Sequence, residues 1–217
     1  MRVTEDAASR QGARPSGATD GAPSLRPPAP VIVVTGTSGA GKGSIERILL
    51  ERMPELELAV SATTRERRPN EVDGRHYWFI SDEEFDRRLA ERGFLEYVTF
   101  PWGQRSGTLR SEIDRIRGAG RIPLLDLETD GALHVQRTVP EALTVFVTAP
   151  TFAELERRLR ARATESAGEI DERLELARAQ LELAEQFDHV IVNDDLDRAA
   201  EQVLEIVRER IAATMTS

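Results

Sequence analysis

Cysteine is absent from the 217 residues, which excludes a disulfide scaffold, thiol chemistry and cysteine-held zinc or iron–sulfur centres. Histidine is scarce: His76, His134 and His189 are the whole complement and lie far apart, so a histidine-based metal site is not expected. No apolar run approaches the length of a membrane span. Residues 1–29 lack the apolar segment of a secretory signal and are rich in Gly, Ala, Pro, Ser and Arg. They read as a disordered tail, although a translation start set too far upstream would leave the same composition. Positive charge is outweighed to a net −9, which argues against broad binding to nucleic acid or anionic membranes. What is present is 40% hydrophobic and 31% charged residues, in a chain long enough to bury a sizeable core. This is the profile of a globular, cytoplasmic enzyme with neither nucleic acid nor membrane as partner; monomer and homo-oligomer both fit it.

The most informative stretch is Gly36-Thr37-Ser38-Gly39-Ala40-Gly41-Lys42-Gly43-Ser44, directly after the apolar run Val31-Ile32-Val33-Val34. With the helical pattern Ile45 to Arg52 behind it, it reads as strand, phosphate loop and helix. The spacing is that of the P-loop, except that Gly43 holds the Ser/Thr position and the hydroxyl follows one residue later, at Ser44. Glycines let successive backbone N–H groups point inward at phosphate oxygens. The helix adds its positive N-terminal end, and Lys42 supplies a mobile point charge. An ordinary Gly-rich turn has no use for that lysine, so the stretch predicts binding of a nucleoside triphosphate.

Along the rest of the chain, strands are expected at Leu56–Val60, His76–Ile80, Phe94–Val98, Ile122–Leu127, Leu143–Val147 and Val190–Asn193. Helices are expected after the cap patterns Ser81-Asp82-Glu83-Glu84 and Thr151-Phe152-Ala153-Glu154, and over 109–118, 131–138, 169–185 and 196–211. Strands alternating with helices predict an α/β, three-layer P-loop NTPase core around a parallel sheet. The strand-rich segment after Val60 looks like a small substrate-binding insertion. Arginines gather in two groups: Arg65, Arg67 and Arg68, and then Arg157, Arg158, Arg160, Arg162 and Arg173. A solvated charged face explains most arginines in so acidic a protein. Phosphoryl transfer between two nucleotides is the other use, since guanidinium groups neutralise crowded phosphate oxygens.

Ser61-Ala62-Thr63-Thr64-Arg65, Arg68-Pro69, Glu71-Val72-Asp73-Gly74 and Tyr77 together resemble the GMP-binding signature of guanylate kinases. Phe94-Leu95-Glu96 and Val190-Ile191-Val192-Asn193-Asp194-Asp195-Leu196 resemble further segments of that family, in the same order. The resemblance covers about residues 31 to 210. It implies a tail over 1–29 and a domain over 30–212. The domain would comprise a core of 30–60, 109–150 and 176–212, a GMP-binding insertion over 61–108 and a helical lid over 151–175. It implies that Ser61 and Glu96 hold guanine, that Arg65, Arg68, Tyr77 and Glu71 form the GMP phosphate site, that Arg162 and Arg173 belong to the closing lid and the helix after it, and that Asn193 stands on the adenine side of ATP. One carboxylate at Glu96 can accept the adjacent N1–H and N2–H donors of guanine, whereas adenine presents a bare lone pair there; such recognition rejects the wrong base by on the order of 10⁴-fold.

Several positions depart from the family pattern. Ser106-Gly107-Thr108 stands where a tyrosine commonly precedes the glycine, leaving Ser106, Thr108 or Arg105 as partial substitutes. Glu128 replaces an aspartate and reaches one methylene further towards the guanine amino group. Ala161 and Ala163 replace lid glycines and favour helix. The implied reaction is transfer of the γ-phosphoryl of ATP to GMP or dGMP, with Mg²⁺ held mostly through water, Ser44 as its hydroxyl and Asp126 as an outer acid. Two alternatives stay open: a guanylate-kinase-like binding module with little or no catalysis, and a related P-loop kinase with another phosphate acceptor. A regulatory GTPase would want an Asn-Lys-x-Asp motif, which is absent.

Overall fold

The computed structural model describes residues 29–100, 102–161 and 167–216, so all of the expected tail but Ala29 lies outside them. Strand β1 (Val31–Gly36) is buried along its whole length. Ile32 and Val34 face one layer, Val31 and Val33 the other. A strand covered on both faces needs such an uninterrupted apolar run. Around β1 five parallel strands run in the order β2 (Leu56–Leu58), β7 (Ile122–Asp126), β1, β8 (Ala142–Thr148) and β9 (His189–Val192).

One face of this sheet is covered by α1 (Lys42–Arg52) and α7 (Leu196–Thr216), through Ile45, Ile48, Leu49, Ala199, Val203 and Val207. The other is covered by α3 (Arg110–Gly118) and α4 (Thr129–Thr138), through Ile113, Ala132, Leu133 and Val135. The predicted three-layer α/β core is therefore present. Among the described residues, no helix is long and apolar enough to cross a membrane.

A second, mixed sheet of four strands runs β4 (Trp78–Phe79), β3 (Ala62–Thr63), β6 (Arg105–Leu109) and β5 (Phe94–Thr99). Helix α2 (Asp82–Ala90) lies on one of its faces, with Phe85 stacked on Phe94 at 4.3 Å between ring centroids. Ser81 caps α2 by accepting the Glu84 N–H at 3.2 Å, and Thr151 accepts the Glu154 N–H at 3.1 Å at the start of α5 (Phe152–Ala161). Both caps follow the sequence pattern.

Two strands were not foreseen, β3 and β6. Arg105-Ser106-Gly107-Thr108 has little strand preference of its own; it is extended because its backbone pairs antiparallel with β3 on one side and β5 on the other. The strand expected at His76–Ile80 contracts to Trp78–Phe79, and the one at Leu56–Val60 to Leu56–Leu58. The helix expected to reach residue 185 ends earlier, as α6 (Ala167–Glu182), and a 3₁₀ turn over Ala184–Gln186 follows.

Candidate functional site

The Gly-rich loop leaves the C-terminal end of β1 and closes on the N-terminus of α1. Gly41 is the N-cap of α1 in the left-handed region, at φ 91°, where a side chain is strained. A Cβ there would also meet the Asn193 Nδ2 at 2.6 Å. Asn193 is buried, and its Nδ2 donates to the Ala40 carbonyl at 2.7 Å, so the end of β9 braces the loop from behind. The Thr37 N–H donates to Val147 at 3.1 Å, and the Ser38 N–H to Gln180 Oε1 at 3.3 Å. Lys42 Nζ folds back to the Gly36 carbonyl at 3.2 Å. Ser44 is exposed at the helix start, and a Cβ on Gly43 would meet nothing within 4 Å.

Glu96, on β5, is buried to 7% exposure. Its Oε1 accepts both the N–H and the hydroxyl of Thr108, each at 2.8 Å. Burial pushes its carboxyl above the usual range, and the two Thr108 donors work against that rise. Its Oε2 points at Gly131 in the first turn of α4, where a Cβ would sit 2.8 Å away. The acid thus lies where the mixed sheet meets the core. Ser61 is half-buried just before β3, its carbonyl accepting the Trp78 N–H at 2.9 Å. Ser106 donates its hydroxyl to the Ala62 carbonyl at 3.1 Å.

Arg65 is held from three sides. Glu71 receives it through two bonds, at 2.6 and 3.0 Å, and its guanidinium lies 5.4 and 5.6 Å from the rings of Tyr77 and Phe79. Glu71 also accepts the Arg68 backbone N–H at 2.8 Å. The Arg65 bonds first, then the Arg68 N–H, lower the Glu71 carboxyl to about 2. The Arg68 side chain is exposed.

Arg105, considered above as a stand-in for the missing tyrosine, is turned the other way. It pairs with Asp82 and Asp86 on α2 and lies 4.5 Å from the Phe85 ring. Strand alternation is the reason: 105, 107 and 109 share the α2 face, and 106 and 108 the opposite one. Arg157 and Arg158 pair with Glu154, and Arg160 with Glu156, within α5, as a solvated helix face does. Arg158 also donates to the Asn193 carbonyl at 3.0 Å. Arg173 is half-buried on α6. Arg162 and Ala163 lie outside the described residues.

Two residues here were missed in the sequence. Glu46, one turn beyond Lys42 on α1, is buried to 6% exposure with Oε1 unpartnered. Burial first, and next the charge of Asp126, push its carboxyl up to about 8, against the pull of Lys42. Gln180, on α6, is 2% exposed and bonds both the phosphate loop and Glu128, the latter at 3.2 Å. The available signal was the same for each: a polar side chain set into an apolar helical stripe, Ile45-Ile48-Leu49 for one and Leu174-Ala177-Leu181 for the other.

The Ser44 hydroxyl and the Asp126 carboxylate are hard oxygen donors at the ends of α1 and β7, suited to Mg²⁺. Among the described residues no group of three or more His, Cys, Asp or Glu could hold a metal. This set fits an ion that keeps its waters and leans on phosphate oxygens.

A glycine-rich loop from the central strand of a parallel sheet to a helix, closed by a lysine, defines a P-loop nucleotide-binding protein. The family model for guanylate kinase matches residues 29–210. The chain is 45% identical over 169 residues to a guanylate kinase of Synechococcus elongatus, spanning 78% of this chain and 92% of that protein. It is 42% identical over 182 residues to one of Rubrobacter xylanophilus, spanning 84% and 95%. Its fold is similar to the crystal structure of guanylate kinase from Anaplasma phagocytophilum, with a TM-score of 0.66 at 26% identity, over 86% of this chain and 89% of that one. The chain belongs to the guanylate kinase family.

Proposed function

We propose that the protein transfers the γ-phosphoryl of ATP to the phosphate of GMP or dGMP, giving ADP and GDP or dGDP, in the cytoplasm. The observation that carries this reading is the contact chain from Ser38 through Gln180 and Glu128 to α4, and from Gly131 to Glu96 and Thr108. It joins a triphosphate loop to a buried carboxylate suited to guanine. Residues 61–108 serve as the GMP-binding insertion and 151–175 as the lid, on a core of 30–60, 109–150 and 176–212.

The acceptor phosphate has its second pKa near about 6 and is largely a dianion at neutral pH. It needs no general base, so catalysis is positioning and charge neutralisation. The phosphate loop from Gly36 to Ser44 and the Lys42 ammonium hold the ATP phosphates, the loop through N–H groups other than that of Thr37, which is spent on Val147. Asn193 backs the loop on the adenine side. Ser61, Glu96, Thr108 and Glu128 hold the base, with Ser106 beside them. Arg65, Arg68 and Tyr77 aim the acceptor phosphate, and Glu71, which fills the Nη1–Nη2 fork of Arg65, fixes the orientation of that guanidinium. Arg162 and Arg173 neutralise the transferring group from the lid side. Ser44, through water, and Asp126 outside it would hold Mg²⁺, which would supply further neutralisation of the ATP phosphates.

The test is release of ADP by purified protein with MgATP and each of GMP, dGMP, AMP, UMP and ribose phosphates. Turnover with GMP and dGMP is expected. Turnover with AMP and none with GMP refutes the acceptor assignment; no turnover with any acceptor leaves the binding-module reading instead.

A further inference from the structure

Gln180 is buried between two groups that come from different parts of the site. The Ser38 N–H can only donate, and the Glu128 Oε2 here accepts. A primary amide carries one acceptor and one donor group on a single rigid plane, and Gln180 uses both: Oε1 towards Ser38 at 3.3 Å, Nε2 towards Glu128 at 3.2 Å. Glutamate would satisfy the loop N–H but set a carboxylate against a carboxylate. Methionine, of similar size, would satisfy neither. Packing of α6 does not depend on the amide, because Leu174 and Ala177 seat the helix against α5 and Leu181 against the sheet cluster.

We propose that Gln180 is a positioning residue that ties occupancy of the phosphate loop to the placement of the Glu128 carboxylate, and so to recognition of the guanine 2-amino group. This rests on the proposed function, in which the Ser38 N–H meets an ATP phosphate and Glu128 meets that amino group. The neutral amide oxygen of Gln180 holds an N–H that a triphosphate would claim. A charged phosphate oxygen makes the shorter and stronger bond and displaces it. Until then the amide tethers Glu128 towards the loop; afterwards Gln180 keeps only its bond to Glu128, and the carboxylate can advance to the base. Binding of ATP and of GMP is therefore coupled, and the coupling belongs to the amino group.

Calorimetric titration of GMP and of IMP, which lacks only the 2-amino group, tests this with and without a non-hydrolysable ATP analogue and Mg²⁺. In the wild-type protein the analogue should tighten GMP by about fivefold or more, the lower end of ordinary coupling, and IMP by less than about twofold. In Gln180→Met the GMP effect should fall to the IMP value while the analogue itself still binds. Gln180→Glu serves the same comparison if the methionine variant fails to fold. Equal coupling for GMP and IMP in the wild type, or wild-type coupling in the variants, overturns the proposal. A wild-type protein that turns over other acceptors but not GMP would instead overturn the function on which it rests.

Discussion

Gly131→Ala separates the recognition role of Glu96 from its contribution to the fold. The added Cβ would lie 2.8 Å from Glu96 Oε2 and 3.4 Å from its Cδ. Replacing glycine by alanine inside a helix stabilises by about 1 kcal/mol. Crowding a packed site costs about 1–3 kcal/mol. The two oppose each other, so the net loss of stability should stay below about 2 kcal/mol. Recognition has no such offset. Oε1 is pinned by two Thr108 donors at 2.8 Å, so Oε2 can retreat only by tilting the carboxylate out of the plane that two guanine donors share. Loss of one hydrogen bond to a charged group costs about 1.5–3 kcal/mol, or roughly 10- to 150-fold in kcat/KM for GMP. The assay pairs urea unfolding with steady-state kinetics in GMP and in ATP. Gly118→Ala, at the end of α3 and outside the site, is the control, because its Cβ meets nothing within 4 Å. A Gly131→Ala protein whose kcat/KM for GMP stays within twofold of wild type would refute the role given to Glu96.

Lys42→Ala should lower phosphoryl transfer by about a hundredfold or more, the scale for removing one preorganised charge, with the fold retained by circular dichroism; near-normal turnover would remove Lys42 from the mechanism. The folded Glu46 carboxyl, at about 8, lies above its unfolded value near 4.5, so the stability it contributes is fully present below about 4.5 and lost as pH rises through 8. Glu46→Gln should therefore flatten the fall of Tm between about pH 5 and 8, a tenfold change in proton affinity on folding being worth roughly 1.4 kcal/mol; an unchanged slope would contradict the assignment. Asn193→Ala leaves the buried Ala40 carbonyl without its donor, and should cost about 1–3 kcal/mol in urea unfolding and raise the KM for ATP. If both quantities hold at wild-type values, Asn193 does not brace the loop.

What could be read from the chain was whatever consecutive residues build together. The phosphate loop is one such stretch: strand, glycines, lysine and helix start lie in order, and Gly41 takes its left-handed turn from its own lack of a side chain. The Arg65, Glu71 and Tyr77 cluster is another, because residues a few positions apart close on one another over a turn. Capped helices and the buried run of β1 belong to the same class, since periodicity and capping are local chemistry.

Tertiary structure alone decided the rest. Arg105 and Ser106 are neighbours, yet the register of β6 between β3 and β5 sends one to α2 and the other to the opposite face. The meeting of Glu96 with Gly131 depends on how the mixed sheet docks on α4, which no local pattern encodes. Glu46 and Gln180 looked like interruptions of apolar helical stripes. Their meaning came from partners distant in the chain: for Glu46, Asp126 at the end of β7, and for Gln180, Ser38 and Glu128 together. A buried polar side chain must find its hydrogen bonds wherever the packing brings them. Residue type and spacing therefore determined that this chain holds a triphosphate loop and a GMP-like signature, and the docking of two sheets and α6 decided how the two are joined.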